Sequence, residues 1–148
     1  MIQIVPREGS GTYVFRNCTF INANVKINGL SGVTLGSVSV VFENCTFNNW
    51  GSSPVVDIGP YAVGTVTMTG CTFNMDATGP VSLVTKMPNS MNTISVSISD
   101  STVNGTKVEP NEEEGIKVSF IQWVKLGNVD EATNITYNGG TEGFVVGP

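Results

Sequence analysis

Apolar residues in this chain follow a four-beat pattern that recurs. Counted from Cys18, Cys45, Cys71 and Ser101, apolar side chains stand five and three residues before and two residues after. The first column holds Tyr13, Val40, Val66 and Val96, and the second holds Phe15, Phe42, Met68 and Ile98. The anchor residues form the third column, and Phe20, Phe47, Phe73 and Val103 form the fourth. A step of two keeps side chains on one side of a strand. The step of three across the middle predicts a bend. Each repeat therefore reads as two short strands joined at a tight corner: Arg16-Asn17, Glu43-Asn44, Thr69-Gly70 and Ser99-Asp100. Asn, Gly and Asp at the corner's second place tolerate the left-handed backbone that such a bend requires.

The anchors are 27 residues apart from 18 to 45, 26 from 45 to 71 and 30 from 71 to 101. A near-constant period of this size marks a solenoid, in which each repeat buries its apolar side against the next. A third strand is expected in every repeat, at Val25-Lys26-Ile27, Val56-Asp57-Ile58, Val81-Ser82-Leu83 and residues 116–120. Pro54 and Pro60 bracket the second of these, and Pro80 and Pro88 the third, as suits strand ends. The expected fold is all-β: a single-stranded right-handed parallel β-helix of about five coils of roughly 26 residues, with three short strands per coil. An antiparallel sandwich explains the alternation but not the recurring corner. The whole chain, 1–148, reads as one domain. Residues 1–11 are a cap or docking strand, 12–131 the main coils, and 132–148 a ragged last coil and cap. In that last coil Asn134-Ile135-Thr136-Tyr137 resembles a first strand.

Coils about 4.8 Å apart place like residues directly over one another. The Phe and Cys columns then fill the interior, and the corner asparagines are expected to stack their amides. The middle residues of the third strands, Lys26, Asp57, Ser82 and Lys117, are expected to point outward in one column. Lys26 and Asp57 form an exposed pair there, worth ~0–1 kcal/mol.

Composition narrows the function. Only 13% of the 148 residues are charged and the net charge is −5. Arg7, Arg16, Lys26, Lys86, Lys107, Lys117 and Lys125 are scattered, which argues against nucleic acid, since phosphates call for clustered cations. No apolar run is long enough for a membrane span. The start has no basic-then-apolar pattern of a leader, so export by that route is not expected. Three cysteines at the repeat spacing, without histidine, do not make a zinc pattern; they read as small buried hydrophobes. No metal and no cofactor are expected.

Catalysis is not expected either. Glycoside hydrolysis needs paired carboxylates, and lyase chemistry needs a base beside a cation that stabilises developing charge. Asp57 is a lone outward carboxylate, and Asp76 and Asp100 belong to turns or corners. Two excursions interrupt the repeat, at 86–93 and 104–115. The acidic stretch 108–115 reads as a solvated loop, since its three adjacent glutamates lack the spaced order of a calcium loop. Ile121, Trp123 and Trp50 are candidate partner contacts, because alternation places the first two outside. Asn17, Asn44, Asn104 and Asn134 each begin an Asn-x-Thr triplet, but the corner already explains the first two.

The Asn-Cys-Thr-Phe phrase, with Phe three residues before the Cys, resembles coils of the pectate-lyase-like right-handed parallel β-helix superfamily. It looks most like the non-catalytic β-helices of phage tails and fibres and of surface adhesins. No polysaccharide-cleaving motif is matched. The resemblance implies a virion structural or receptor-binding protein of the fibre, spike or decoration type, located in the virion. Its expected partners are other virion or surface-assembly subunits and a host glycan, with the chain a homo-oligomer or part of a larger assembly. The alternatives are a domain of a bacterial cell-surface adhesin, placed outside the cell, and a degenerate polysaccharide lyase or hydrolase.

Overall fold

A computed structural model gives the architecture. It describes residues 1–5, 9–29, 36–50, 54–76, 83–86, 93–105, 131–133, 136–137 and 140–141. The described chain is all strand and turn. The first round consists of β1 (Ile2–Ile4), β2 (Gly11–Arg16) and β3 (Thr19–Ile21). The second is β4 (Val25–Ile27), β5 (Val38–Glu43) and β6 (Thr46–Trp50). The third is β7 (Val56–Ile58), β8 (Val63–Thr69) and β9 (Thr72–Asp76), followed by β10 (Val84–Lys86), β11 (Thr93–Ser99) and β12 (Thr102–Gly105). Three short strands close the series: β13 (Glu131–Thr133), β14 (Thr136–Tyr137) and β15 (Gly140–Thr141).

The strands sort into three sheets that the chain visits in rotation. One is ordered β1-β4-β7-β10, the second β13-β11-β8-β5-β2, and the third β15-β14-β12-β9-β6-β3. All pairings are parallel except that of β14 with β15. The expected columns appear as register partners. Phe15 faces Phe42, Phe42 faces Met68, and Met68 faces Ile98. Phe20, Phe47, Phe73 and Val103 form the neighbouring column. Their rings stack: Phe15 on Phe42 at 5.1 Å, Phe20 on Phe47 at 4.7 Å and Phe47 on Phe73 at 5.3 Å between centroids. Between columns the rings meet edge to face, as Phe42 and Phe47 do at 5.4 Å, which suits the aromatic quadrupole.

The corners behave as the residue types require. Asn17, Asn44, Gly70 and Asp100 have φ of 54°, 52°, 63° and 49°. The parallel ladder runs through the bend without a break. Asn17, Asn44 and Gly70 donate their N–H to the carbonyls of Glu43, Thr69 and Ser99 at 3.0, 2.9 and 3.1 Å. Beyond the anchor, Thr46, Thr72 and Thr102 donate to Cys18, Cys45 and Cys71 at 2.8, 2.9 and 2.9 Å. Two further left-handed residues, Asn22 (φ 47°) and Tyr61 (φ 62°), follow β3 and β7 and turn the chain into the next sheet.

Three expectations need correction. The third strand of the third repeat is Val84–Lys86, not 81–83, and Thr85 rather than Ser82 faces Asp57. Leu83 instead lies beside Val55 ahead of the strand, and its carbonyl accepts the N–H groups of both Val55 and Val56. Val55-Val56 and Leu83-Val84 are consecutive buried pairs, which a rule of strict alternation reads out of phase. In the last coil Glu131–Thr133 pairs in the first-strand sheet and Thr136–Tyr137 in the second-strand sheet, so the latter pair is not part of a first strand. Tyr13 is not interior. It is 42% exposed, and Phe15 and Cys18 are only half-buried, because β2 and β3 are the outermost described strands of their sheets. Residues 116–120 lie outside the described residues.

Two stability predictions follow from the stack. Phe47 is fully buried between Phe20 and Phe73, so Phe47→Ala should lower the unfolding free energy by about 3–5 kcal/mol in urea titration. Asn44→Val places a β-branched residue at a left-handed φ and should cost ~1–2 kcal/mol, whereas Asn44→Gly should be close to neutral in the same assay.

Candidate functional site

The cysteine column has a structural task that its apolar character did not reveal. In every coil the anchor side chain hydrogen-bonds the carbonyl two residues back, across the corner. Cys18 Sγ donates to Arg16 at 3.3 Å, Cys45 to Glu43 at 3.5 Å and Cys71 to Thr69 at 3.6 Å. Ser101 Oγ does the same to Ser99 at 2.7 Å, and also accepts the Cys71 N–H at 3.1 Å. Cys45 and Cys71 also reach the preceding coil, at the carbonyls of Phe15 and Phe42. The column thus wants a small donor at the corner, which thiol and hydroxyl both supply. All three thiols are free. Burial pushes the Cys71 thiol up to about 11, and burial likewise raises Cys45. Cys45 and Cys71 are thus shielded thiols and not activated nucleophiles.

The outer faces carry regular columns of hydroxyls and amides. Thr19, Thr46, Thr72, Thr102 and Thr136 stand in one register column. Next to it Asn48 faces Asn74, whose Nδ2 donates to Asn48 Oδ1 at 2.8 Å. This amide pair stands three residues past the anchor. On the first-strand sheet Ser39, Thr65 and Ser95 share one column, and Thr69, Ser99 and Thr133 another. Thr65 bonds Ser39 at 3.4 Å and Thr69 pairs with Ser99 at 3.3 Å.

Charge enters as pairs stacked one coil apart. Lys26 Nζ lies 3.4 Å from Asp57 Oδ2, as the outward column predicted. Arg16 Nε is bonded to Glu43 on the neighbouring strand, and that contact raises the Arg16 pKa further. Asp100 holds a left-handed corner, and Asp76 ends β9 opposite Trp50. Among the described residues no group of three or more His, Cys, Asp or Glu is placed to hold a metal ion. No described helix is long and apolar enough to cross a membrane.

Of the candidate partner contacts, Trp50 is placed by its backbone alone, at the end of β6. Ile121 and Trp123 lie outside the described residues, as does the acidic stretch 108–115. The exposed large apolar side chains among the described residues, Met1, Ile2, Tyr13, Val14 and Ile21, are all in the first coil. The repeating apolar pattern included Tyr13 and passed over Val14 and Ile21.

The shielded thiols give stability a pH dependence of definite sign. Below the ordinary thiol value of 9.0 both folded and unfolded chains keep the Cys71 proton. Between 9.0 and about 11 the unfolded chain loses it while the folded chain retains it. Stability should therefore fall as pH rises through this window. Cys71→Ser, which installs the side chain that Ser101 already uses, should flatten that fall in chemical denaturation at pH 8 to 11. Comparison with known proteins returned no matching family model, no matching curated protein and no matching solved structure.

Proposed function

We propose that the chain is a right-handed, single-stranded parallel β-helix serving as a non-enzymatic structural or receptor-binding subunit of a virion, of the fibre, spike or decoration type. The observation that carries this reading is the unbroken vertical ladder. Backbone hydrogen bonds and stacked rings continue through strands and corners alike. Such a body resists local opening, because each interior strand is held on both sides and each corner is fixed by its own side-chain bond.

A rigid ladder separates two tasks. Inward columns hold the fold, while outward positions are free to change without disturbing it. Several outward columns here are Thr, Ser and Asn, groups that stay wetted and hydrogen-bond without carrying charge. The −5 net charge and low charge density suit a surface facing neighbouring subunits and glycans. The resemblance of the Asn-Cys-Thr-Phe coils to phage β-helices agrees with this role. Display from an inert scaffold is the mechanism: the stacked strands are the constant support and the excursions are the variable part of the sequence.

Particle localisation tests the reading. An antibody raised against the protein should label purified virions by immunogold microscopy, and the protein should co-sediment with them through a density gradient. Label confined to cell envelopes, with none on particles, would overturn it in favour of an adhesin.

A further inference from the structure

The exposed large apolar side chains among the described residues are Met1, Ile2, Tyr13, Val14 and Ile21, all within the first round of strands. Val14 is 45% exposed and Ile21 64%. The Tyr13 ring lies back over Gly11, where an added methyl group would be 3.4 Å from it. Both β2 and β3 are terminal in their sheets among the described strands. β2 pairs with β5 through six successive residues, so its outer edge is a regular row of backbone groups. That edge contains neither Lys nor Pro, the residues that commonly blunt a strand edge. The opposite end of the second-strand sheet differs, since β15 turns back antiparallel on β14 and ends the parallel stack there.

Charge says what fits this edge. Residues 1–29 hold three cations, Arg7, Arg16 and Lys26, against Glu8, within a chain of net charge −5. Arg16 stands at the end of β2 with its side chain 65% exposed, and Glu43 engages it through Nε. A guanidinium has five N–H donors, so its outer nitrogens can serve a second carboxylate. Within the stack two cations each meet a carboxylate one round further on, Arg16 with Glu43 and Lys26 with Asp57. A carboxylate on the other side of Arg16 continues that alternation.

We infer that the edge of β2 and β3 is a docking edge for an extended strand from a partner protein. The strand lies parallel to β2, sets apolar side chains over Tyr13 and Phe15, and places a carboxylate over Arg16. Main-chain bonds supply the attachment and the alternate side chains supply the selectivity. This rests on reading the chain as an assembly subunit only in making the partner a protein, and the two fail separately: peptide binding and particle labelling are independent measurements.

A labelled peptide of residues 37–43, Ser-Val-Ser-Val-Val-Phe-Glu, carries the required pattern, because in β5 it already offers Val40, Phe42 and Glu43 to Tyr13, Phe15 and Arg16. It should bind the full chain saturably by fluorescence anisotropy. Replacing its glutamate by lysine should weaken binding at least tenfold. Arg16→Glu in the protein, with an unchanged circular dichroism spectrum, should reverse that preference, and Tyr13→Ala should weaken both peptides. No saturable binding, or binding indifferent to the charge at either position, overturns the inference. A dimer in light scattering that Tyr13→Asp splits would give the edge to a second copy of the chain and overturn it equally.

Discussion

Every feature of this fold depends on like residues lying one above another, one round of the chain apart. Parallel neighbours sit about 4.8 Å apart, close to the thickness at which flat rings and small polar groups pack on their own kind. The Phe47 ring has Phe20 on one side and Phe73 on the other, each nearly parallel to it. The chain can keep that superposition only if it turns at the same place in each round. The left-handed residue at positions 17, 44, 70 and 100 makes the turn, and the thiol or hydroxyl that follows locks it. Core and corner are therefore one constraint. Losing the corner would throw the next strand out of phase and turn its apolar side chains to water.

This coupling explains how much was legible in the residues. Wherever two strands share a tight corner, the spacing is fixed by backbone geometry, and the columns through Phe42, Cys45 and Phe47 could be read straight from the sequence. The third strand is joined to its neighbours by connections of unequal length. There the only guide was alternation, and it failed at Leu83-Val84 because both residues are buried on either side of a bend. Tyr13 and Phe15 show a different limit. Their residue types match the interior column, but exposure depends on whether another layer lies beyond, and no local pattern encodes that. The hydrogen bond from each anchor side chain was also invisible, since cysteine signals burial far more strongly than it signals donation. Ser101 in the fourth repeat was the available clue.

The outward columns follow from the same geometry. A position repeated in each coil becomes a line on the surface, so a small bias in residue type is amplified into a stripe. Threonine after the anchor produces such a line over five strands. Its β-branched side chain suits the pleated strand, and its hydroxyl keeps the face wetted without the repulsion that a column of like charges would bring. Two opposite-signed pairs, Arg16 with Glu43 and Lys26 with Asp57, link neighbouring strands.

Stacking also sets a condition at the ends. An interior coil satisfies its ladder on both sides, whereas a terminal coil presents one row of backbone donors and acceptors and one layer of apolar side chains. The second-strand sheet meets this at β15 by reversing direction, which stops further parallel addition. At β2 and β3 the described strands show no such reversal, and the exposed Tyr13 and half-buried Phe15 mark the consequence. Among the described strands the two ends of the second-strand sheet are thus chemically unequal, one carrying an antiparallel strand and the other an apolar edge with a cation at its margin. A body built this way has a direction, and attachment at one end leaves the sides and their polar columns facing outward.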